Sequence, residues 1–444
     1  MYKIQTHLIR TKEKKKSSER RITVSTWKCL SLASLTFLNY SAKAQFTLAG
    51  EIRPRTEFRN GFKSLNTAVT DPAFFIEQRS RLNFDFQKEK IEFKLTLQDI
   101  RIWGNTAQVY KSDPSLTNVF EAWGAYQTSK KTAIKIGRQV LSYDNERFFG
   151  ELDWAQQGRS HDAAKFTYKD SSGFQFHAGA AFNQNIPNEA TKLSSTYYEG
   201  VANYKTMQYI WLHKDWKNTK ASLLMVNDGR QRPDTTTAFR QTVGVFADKN
   251  IGKAKLQAEA YYQTGKNIAS KTISAYLASA SISFPKIFSS PLLGVDYLSG
   301  TSASDTKDKA FDPSFGTNHK FYGHMDYFYV GNPHQQNGVT TGLTDIYLQT
   351  KFTLSKKASL AVHLHQFYSP VSIMNGTEEI SSSLGQEIDL IGNINLSQDI
   401  NFKLGYSHLF SDQALNIIKN TVNRGPNQWA WAMLTINPVL FSNK

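Results

Sequence analysis

The chain has 444 residues, a formal net charge of +16 and a mean hydropathy of −0.46. No stretch approaches the roughly 20 consecutive apolar residues of a membrane helix, so the sequence excludes helical membrane spans. The basic excess suits nucleic acid, anionic lipid or an anionic solute as a partner. No helical pattern carries a stripe of lysine and arginine, and we expect no nucleic-acid partner.

The first 44 residues have the pattern of a removable export signal. Residues 1–28 are basic and polar, residues 29–40 are moderately apolar, and the A-K-A at 42–44 matches a cleavage site. The single cysteine, Cys29, lies in this segment. We therefore expect the signal to occupy residues 1–44. The mature protein, residues 45–444, then has no thiol and a net charge of +8.

Short segments of alternating apolar and polar residues follow one another along the mature chain, a pattern typical of β-strands. The predicted strands, in chain order, are residues 46–58, 74–86, 91–102, 117–127, 132–141, 161–169, 173–183, 206–215, 219–228, 238–248, 253–264, 272–284, 288–298, 344–354, 357–367, 385–396, 399–411 and 428–441. Together with export, they predict an all-β fold, a transmembrane antiparallel β-barrel of about 18 strands.

The connections between these strands alternate between short and long. The short ones are residues 87–90, 128–131, 170–173, 250–253, 284–287, 354–357 and 397–399. The long ones are residues 59–73, 103–116, 142–160, 184–205, 229–237, 299–343, 368–383 and 412–427. Tight turns at one rim and long loops at the other are typical of the periplasmic and extracellular ends of an outer-membrane barrel.

The stretch EIRPRTEFR, residues 51–59, shows the two faces of such a strand. One face carries Glu51, Arg53, Arg55, Glu57 and Arg59. The other face carries Ile52 and Phe58. In a barrel the apolar face contacts lipid, so we expect the charged face to line a water-filled lumen.

One predicted strand departs from this pattern. In IEFKLTLQDIRIW, residues 91–103, Asp99 and Arg101 share the parity of the apolar residues. We expect a β-bulge near Gln98 to reverse the alternation and turn both charges toward the lumen.

Catalytic motifs are absent from the sequence, which has no G-x-S-x-G, H-E-x-x-H, P-loop or G-x-G-x-x-G pattern. We predict no enzymatic activity and no cofactor. His363 and His365 share a strand face and could bind a metal ion. Because no third ligand is evident nearby, we interpret them as polar lumen groups and expect no metal site. An outer-membrane hydrolase with a dispersed serine–histidine pair stays an alternative.

Arginines are concentrated in the first third of the mature chain, interleaved with acidic residues. They include Arg53, Arg55, Arg79, Arg81, Arg101, Arg138, Arg147 and Arg159. Arginine keeps its charge and grips carboxylates through its planar fork, so a pore lined with it would favour anions. The alternative is that paired charges only hold the barrel wall in shape. We favour the anion path because basic residues outnumber acidic ones in the mature chain.

Four stretches resemble the bacterial alginate-export outer-membrane proteins. They are GEIRPRTEFRNG (50–61), EQRSRLNFDF with LQDIRIWG (77–86 and 97–104), IGRQVLSYDNERFFGELDWAQQGRSHDA (136–163), and FGTNHKFYGHMDYF with GLTDIYLQTKF (315–328 and 342–352). The third is the most specific, and the resemblance covers most of the mature chain. It implies a monomeric barrel of about 18 strands. Its narrow, arginine-rich constriction would pass an anionic uronic-acid polymer outward.

Transferred residue by residue, the resemblance implies a set of pore-lining candidates. They are Arg53, Arg55, Arg79, Arg81, Asp99, Arg101, Arg138, Arg147, Asp153, Arg159 and Asp162. Two positions depart from the pattern. His161 stands where we expect an aromatic residue, and Phe441 is followed by three more residues although barrels usually end on an aromatic.

The sequence therefore predicts a channel in the outer membrane of a Gram-negative bacterium, in contact with lipid and passing an alginate-like polyuronate. A periplasmic export scaffold is a candidate partner. One alternative is a general or anion-selective porin that takes up small sugars or oligosaccharides. Another is a structural barrel whose lumen is closed by the long loop 299–343.

Overall fold

The computed structural model describes residues 44–69, 71–106, 116–185, 197–198, 200 and 203–443. The expected export signal, with Cys29, lies outside the described residues apart from its last position, Ala44. None of the helices among the described residues is long and apolar enough to cross a bilayer.

One antiparallel sheet contains most of the strands. The described residues form β1 (Gln45–Asn60), β2 (Ala73–Lys88), β3 (Ile91–Ile102), β4 (Thr117–Gln127), β5 (Thr132–Gln139), β6 (His161–Lys169), β7 (Phe174–Phe182), β8 (Thr206–Asp215), β9 (Thr219–Gln231), β10 (Thr237–Ile251), β11 (Ala254–Lys266), β12 (Thr272–Ser283), β13 (Leu292–Leu298), β14 (Gln335–Gln336), β15 (Val339–Thr340), β16 (Leu343–Thr353), β17 (Ala358–Tyr368), β18 (Ile373–Asn375), β19 (Glu378–Ile380), β20 (Ser383–Asn395), β21 (Ile400–Ser411), β22 (Asn427–Ile436) and β23 (Val439–Ser442). A 3-10 turn (Asn318–Lys320) and a short helix α1 (Gln413–Ile418) lie in loops. Two separate hairpins, β14 with β15 and β18 with β19, also belong to loops.

The sheet closes on itself. On one side β1 pairs with β2 along its whole length. On the other side it pairs first with β22, where Thr56 lies opposite Ala432, and then with β23, where Leu48 lies opposite Phe441. Since β22 and β23 follow one another along one edge of β1, the 19 strands of the sheet make an 18-stranded barrel. The predicted fold class and strand number are confirmed.

Connections at the two rims differ in length. At the short-turn rim the turns include residues 89–90, 128–131, 252–253 and 396–399. At the long-loop rim the two longest loops whose residues are all described are 140–160 and 299–342. The loop predicted at 229–237 is shorter than expected, residues 232–236, because β9 and β10 continue to Gln231 and from Thr237.

The two faces of the strands meet different surroundings. On β1, Arg53 and Arg55 are 4% and 3% exposed, whereas the adjacent Ile52 is 49% exposed. The charged face of residues 51–59 therefore points to the barrel interior and the apolar face points outward, as the alternation predicts. Outward apolar side chains such as Leu82 continue this surface on β2.

The barrel interior is packed by two long loops. Loop 140–160 buries Phe148 and Phe149, and loop 299–342 buries Phe315, Met325 and Phe328 with it. The loops also contact each other. The Gly150 amide donates to the Phe315 carbonyl over 2.9 Å, and the rings of Phe149 and Phe315 stack with centroids 5.5 Å apart. The long loop thus folds inward and fills part of the lumen.

The predicted β-bulge near Gln98, which would turn Asp99 and Arg101 toward the lumen, is wrong. Strands β2 and β3 pair without any shift of register, and Ser80 lies opposite Asp99 while Gln78 lies opposite Arg101. Directly opposite residues share a face, so Asp99 and Arg101 lie on the outer surface. The irregularity belongs to β4, where Phe120 is an extra residue between two pairs of the β3–β4 ladder.

Candidate functional site

Four arginines on the inward faces of β1 and β2 form what we call the arginine cluster: Arg53, Arg55, Arg79 and Arg81. The register of the two strands brings them together, because Arg53 lies opposite Arg79 and Glu51 lies opposite Arg81. Like charges directly opposite each other repel, so this arrangement needs acidic partners. Glu51 supplies one of them, 2.6 Å from Arg79 Nε.

A single carboxylate from loop 140–160 contacts three of these guanidinium groups. Asp153 Oδ2 lies 3.1 Å from Arg53 Nη1, and Asp153 Oδ1 lies 2.9 Å from Arg79 Nη1 and 3.7 Å from Arg81 Nη1. Although burial opposes ionisation, Arg53 and Arg79 hold the pKa of Asp153 below its usual value. Its side chain is 50% exposed, so this charged carboxylate is in contact with solvent.

Arg55 is held by a different set of partners. Its Nε donates to Glu57 over 2.8 Å, and it also pairs with Glu77 of β2. Its Nη1 donates to the Trp154 carbonyl over 2.8 Å, and the guanidinium lies 4.2 Å from the centre of the Trp154 ring. Loop 140–160 therefore contacts the cluster both through a carboxylate and through an aromatic face, which favours cations.

Sequence reasoning missed a second basic cluster on β9 and β10. Arg240 Nη1 lies 2.7 Å and Arg230 Nη2 lies 3.1 Å from Asp312 of loop 299–342, and Asp228 also binds Arg240 over 3.0 Å. Arg230 and Arg240 hold the pKa of Asp312 below its usual value against the effect of burial. The sequence does contain a pattern that indicates this cluster. Arg240 follows Phe239, whose side chain faces outward, so alternation predicts that Arg240 faces the lumen.

Arg147, a predicted pore residue, is a buried anchor. It projects from loop 140–160 and binds Glu259 of β11 over 2.8 Å and Asp296 of β13 over 2.7 and 3.0 Å. The Phe321 ring covers its guanidinium at 3.6 Å. Since both of its acidic partners are buried, this arginine fastens the loop to the opposite wall.

Arg159 differs from the other arginines in its partners. Its Nη1 donates to the Gly316 carbonyl over 2.8 Å, and within the described residues it forms no ion pair with a carboxylate. Burial lowers its pKa to about 10. It borders a cavity of about 310 Å³ at the long-loop rim, together with His161 and Tyr204. This guanidinium is therefore available to an anion that enters the cavity.

Four of the predicted pore residues lie on the outer face or at the rim instead. Asp162 alternates with the buried His161 on β6, and it pairs with Arg138 of β5 over 3.0 Å. Both also border the rim cavity. Asp99 and Arg101 pair with each other over 2.6 Å on the outer surface. The prediction that Asp99 and Arg101 line the lumen is wrong, because strand alternation turns their side chains away from it, whereas Arg138 and Asp162 lie at the rim beside the cavity.

A closed 18-stranded sheet with an apolar outer surface and a charged interior defines an outer-membrane-type β-barrel. The chain belongs to the alginate export family, whose model matches residues 44–424. Among curated proteins, none matches this sequence.

Solved structures with the same fold come from Pseudomonas aeruginosa. The outer membrane protein OpdK is 9% identical, with a TM-score of 0.58 over 89% of this chain and 98% of that chain. OccK10 (OpdN) is 12% identical, with a TM-score of 0.57 over 89% and 99%. OpdK with vanillate is 9% identical, with a TM-score of 0.56 over 88% and 98%. At these identities the likeness concerns the fold alone.

Proposed function

We propose that the protein is an outer-membrane channel for anionic polysaccharide, with an alginate-like polyuronate as the leading substrate. Family membership supports the class of substrate. The observation that carries the proposal is the position of Asp153, one carboxylate within reach of Arg53, Arg79 and Arg81. A uronate residue bears the same group, so Asp153 marks where a polymer carboxylate would bind.

The chemistry of the arginine cluster suits transport rather than tight binding. On the barrel wall, Arg79 pairs with Glu51 and Arg81 donates a hydrogen bond to Gln98, whereas Arg53 binds Asp153 and Gln156 of loop 140–160. An incoming carboxylate therefore meets arginines that are already oriented and partly neutralised. Such sites bind weakly enough for release, which conduction requires. We assign the polymer path to the arginine cluster, Arg53, Arg55, Arg79 and Arg81. In the absence of substrate, Asp153 binds these arginines in place of a polymer carboxylate.

The inward loops would have to move before a polymer can pass. Loop 140–160 is fixed by Arg147 to Glu259 and Asp296, and loop 299–342 by Asp312 to the arginines of β9 and β10. These contacts are ion pairs rather than covalent links, so the loops can separate from the wall without unfolding the strands. In the proposed mechanism, substrate carboxylates replace Asp153 and the loop moves aside.

The remaining parts of the proposal concern the cell. We propose that residues 1–44 are a removed export signal and that the barrel, residues 45–444, sits as a monomer in the outer membrane of a Gram-negative bacterium. We infer no catalytic activity for it.

The test is ion current through the purified protein in a planar bilayer. In a salt gradient we expect anion selectivity, and added polymannuronate should block the current more strongly than neutral dextran of equal length. Arg53→Gln with Arg79→Gln should weaken the block. The matched control is Arg101→Gln, because Arg101 lies on the outer surface. Equal block by dextran, or an unchanged block in the double variant, would refute the polyuronate path.

A porin for small carboxylates is the second candidate. The cavities at Arg159 and at Arg240 measure about 310 and 320 Å³, a size that suits a small solute. OpdK, which shares the fold, has been solved with vanillate. If vanillate carries current or competes with chloride while polymannuronate has no effect, this candidate replaces the polymer channel.

A further inference from the structure

Histidines and carboxylates meet where loop 299–342 touches the inner wall. His324 comes from the loop, His363 from β17 and Asp389 from β20. One nitrogen or oxygen of each lies within 4.8 Å of those of the other two. The strand register explains part of this arrangement, because His363 lies directly opposite Asp389 and both side chains share a face. The loop adds the third group, which the sequence alone could not place there.

Among the described residues, Asp345 and Asp389 are paired with histidines and not with lysine or arginine. Asp389 Oδ2 and Glu387 Oε2 are buried and have no hydrogen-bond partner. Within the described residues, Asp345, Glu387 and Asp389 form no ion pair with a lysine or an arginine. A buried carboxylate without compensation is costly. A bound cation would supply the positive charge that compensates for this burial.

A third histidine, His365, lies beside the three groups and is oriented by a carboxylate. His365 turns its Nδ1 to Asp345 at 2.9 Å, which leaves its Nε2 facing Asp389 Oδ2 at 3.8 Å. His324 Nδ1 lies 4.0 Å from Asp389 Oδ1, and its ring contacts that of His363 with centroids 5.3 Å apart.

We propose that His324, His363 and Asp389 bind a divalent transition-metal ion and that this ion fastens loop 299–342 to the barrel wall. Two imidazoles and one carboxylate suit zinc and its neighbours rather than calcium or magnesium, which prefer oxygen ligands. Metal–ligand bonds of about 2.0–2.2 Å require the three groups to draw together by roughly 1 Å. Because His324 belongs to a loop, it can make most of this movement.

The ion would act on both inward loops. His319, next to His324 with ring centroids 5.1 Å apart, binds Asp326 of its own loop over 2.6 Å. Its ring also stacks on Trp154 of loop 140–160 at 4.6 Å. A metal ion that fixes His324 would therefore also stabilise the contacts of His324 with His319 and of His319 with Trp154. Trp154 belongs to loop 140–160, which also carries Asp153. The proposal does not rest on polyuronate transport, because it concerns a different part of the wall.

Zinc binding to the purified full-length mature protein is the test. The protein in detergent is first treated with a chelator to remove bound metal and is then titrated with Zn²⁺. The zinc bound per chain is measured after gel filtration. We expect about one zinc per chain, with affinity at least tenfold lower in His324→Gln and His363→Gln. The matched control is His408→Gln, since His408 lies on the outer-facing parity of β21 beside Tyr406 and Phe410. Equal zinc binding in all four proteins would overturn the site.

A second measurement keeps the test independent of folding defects. His324 lies outside the strands, so His324→Gln should leave the barrel intact, as its heat-dependent gel mobility will show. In the wild type, zinc should slow protease cleavage of loop 299–342 at least tenfold, and it should not do so in His324→Gln. Stoichiometric zinc binding that leaves cleavage unchanged would contradict the fastening role. No zinc binding to the wild type would overturn the proposal entirely.

Discussion

Replacing Arg147 with methionine should release loop 140–160 from the barrel wall. Arg147 makes three hydrogen bonds to Glu259 and Asp296 and a fourth to Ser279. Methionine has a similar volume but leaves two buried carboxylates without their cation. Breaking one partner of a buried pair costs about 3–5 kcal/mol. We expect the larger part of this cost to appear as undocking of the loop, because the strands keep their own ladders.

Amide hydrogen exchange measures this undocking directly. The Gly150 amide, which donates to Phe315 over 2.9 Å, reports on the contact between the two inward loops. Since about 1.4 kcal/mol corresponds to a factor of ten, its protection should fall about a hundredfold or more in Arg147→Met. Single-channel conductance should rise in parallel, because the loop no longer fills the lumen.

A triple variant separates the charge effect from simple loss of packing. Arg147→Met combined with Glu259→Gln and Asp296→Asn removes the cation and both of its acidic partners. Neutral replacement of a whole buried pair is far less costly than removal of one partner, so protection of Gly150 should recover by at least tenfold. Arg232→Met, at the rim, is the control. A triple variant as unprotected as the single variant would refute the reasoning.

Further substitutions test the lumen and the outer face. Asp153→Asn should raise anion selectivity at neutral pH, because the arginine cluster loses an internal anion. Since the pKa of Asp153 is lowered, the wild-type carboxylate stays ionised as pH falls through the usual aspartate value near 3.9, and its ion pairs are lost only below that. Gly323→Ala should displace loop 299–342 and raise conductance, because an added Cβ would lie 2.6 Å from Glu387 Oε1. Asp99→Asn with Arg101→Gln should leave selectivity unchanged, because both residues lie outside the lumen.

Matched controls make these outcomes specific. Asp305→Asn removes a loop carboxylate that pairs with the exposed Lys309, and it should not change the reversal potential. Gly124→Ala adds a Cβ that finds its nearest neighbour at 4.0 Å, so conductance should stay at the wild-type value. A shift in either control as large as that in the test variant would contradict the assignment.

The barrel was predictable from sequence because its determinants are local. Alternation with a period of two marks each strand, and turn residues mark its ends. On β1 this was enough to place Arg53 and Arg55 inside and Ile52 outside. Strict alternation also places Asp99 and Arg101 on the outer face of β3, and only the expected β-bulge is wrong. We assumed that Asp99 had to face water, whereas a charged residue can lie on the outer face when it pairs with its neighbour, as Asp99 does with Arg101.

The contents of the lumen could not be predicted in the same way. Arg147 meets Asp296 across 149 positions of the chain, and no periodicity reports such a contact. The same holds for Asp312 with Arg240, and for His324 with His363 and Asp389. Two of the three groups near the proposed metal site lie on neighbouring strands, and only the inward fold of the loop brings the third.

The measurement that tests the central claim most directly is movement of polymer across a membrane. Proteoliposomes carrying the protein would enclose fluorescent polymannuronate, and its appearance outside would be followed over time. We predict release from wild-type vesicles, faster release with Arg147→Met, and slower release with Arg53→Gln plus Arg79→Gln. Retention of the polymer in all three preparations, while chloride still crosses the membrane, would contradict the account.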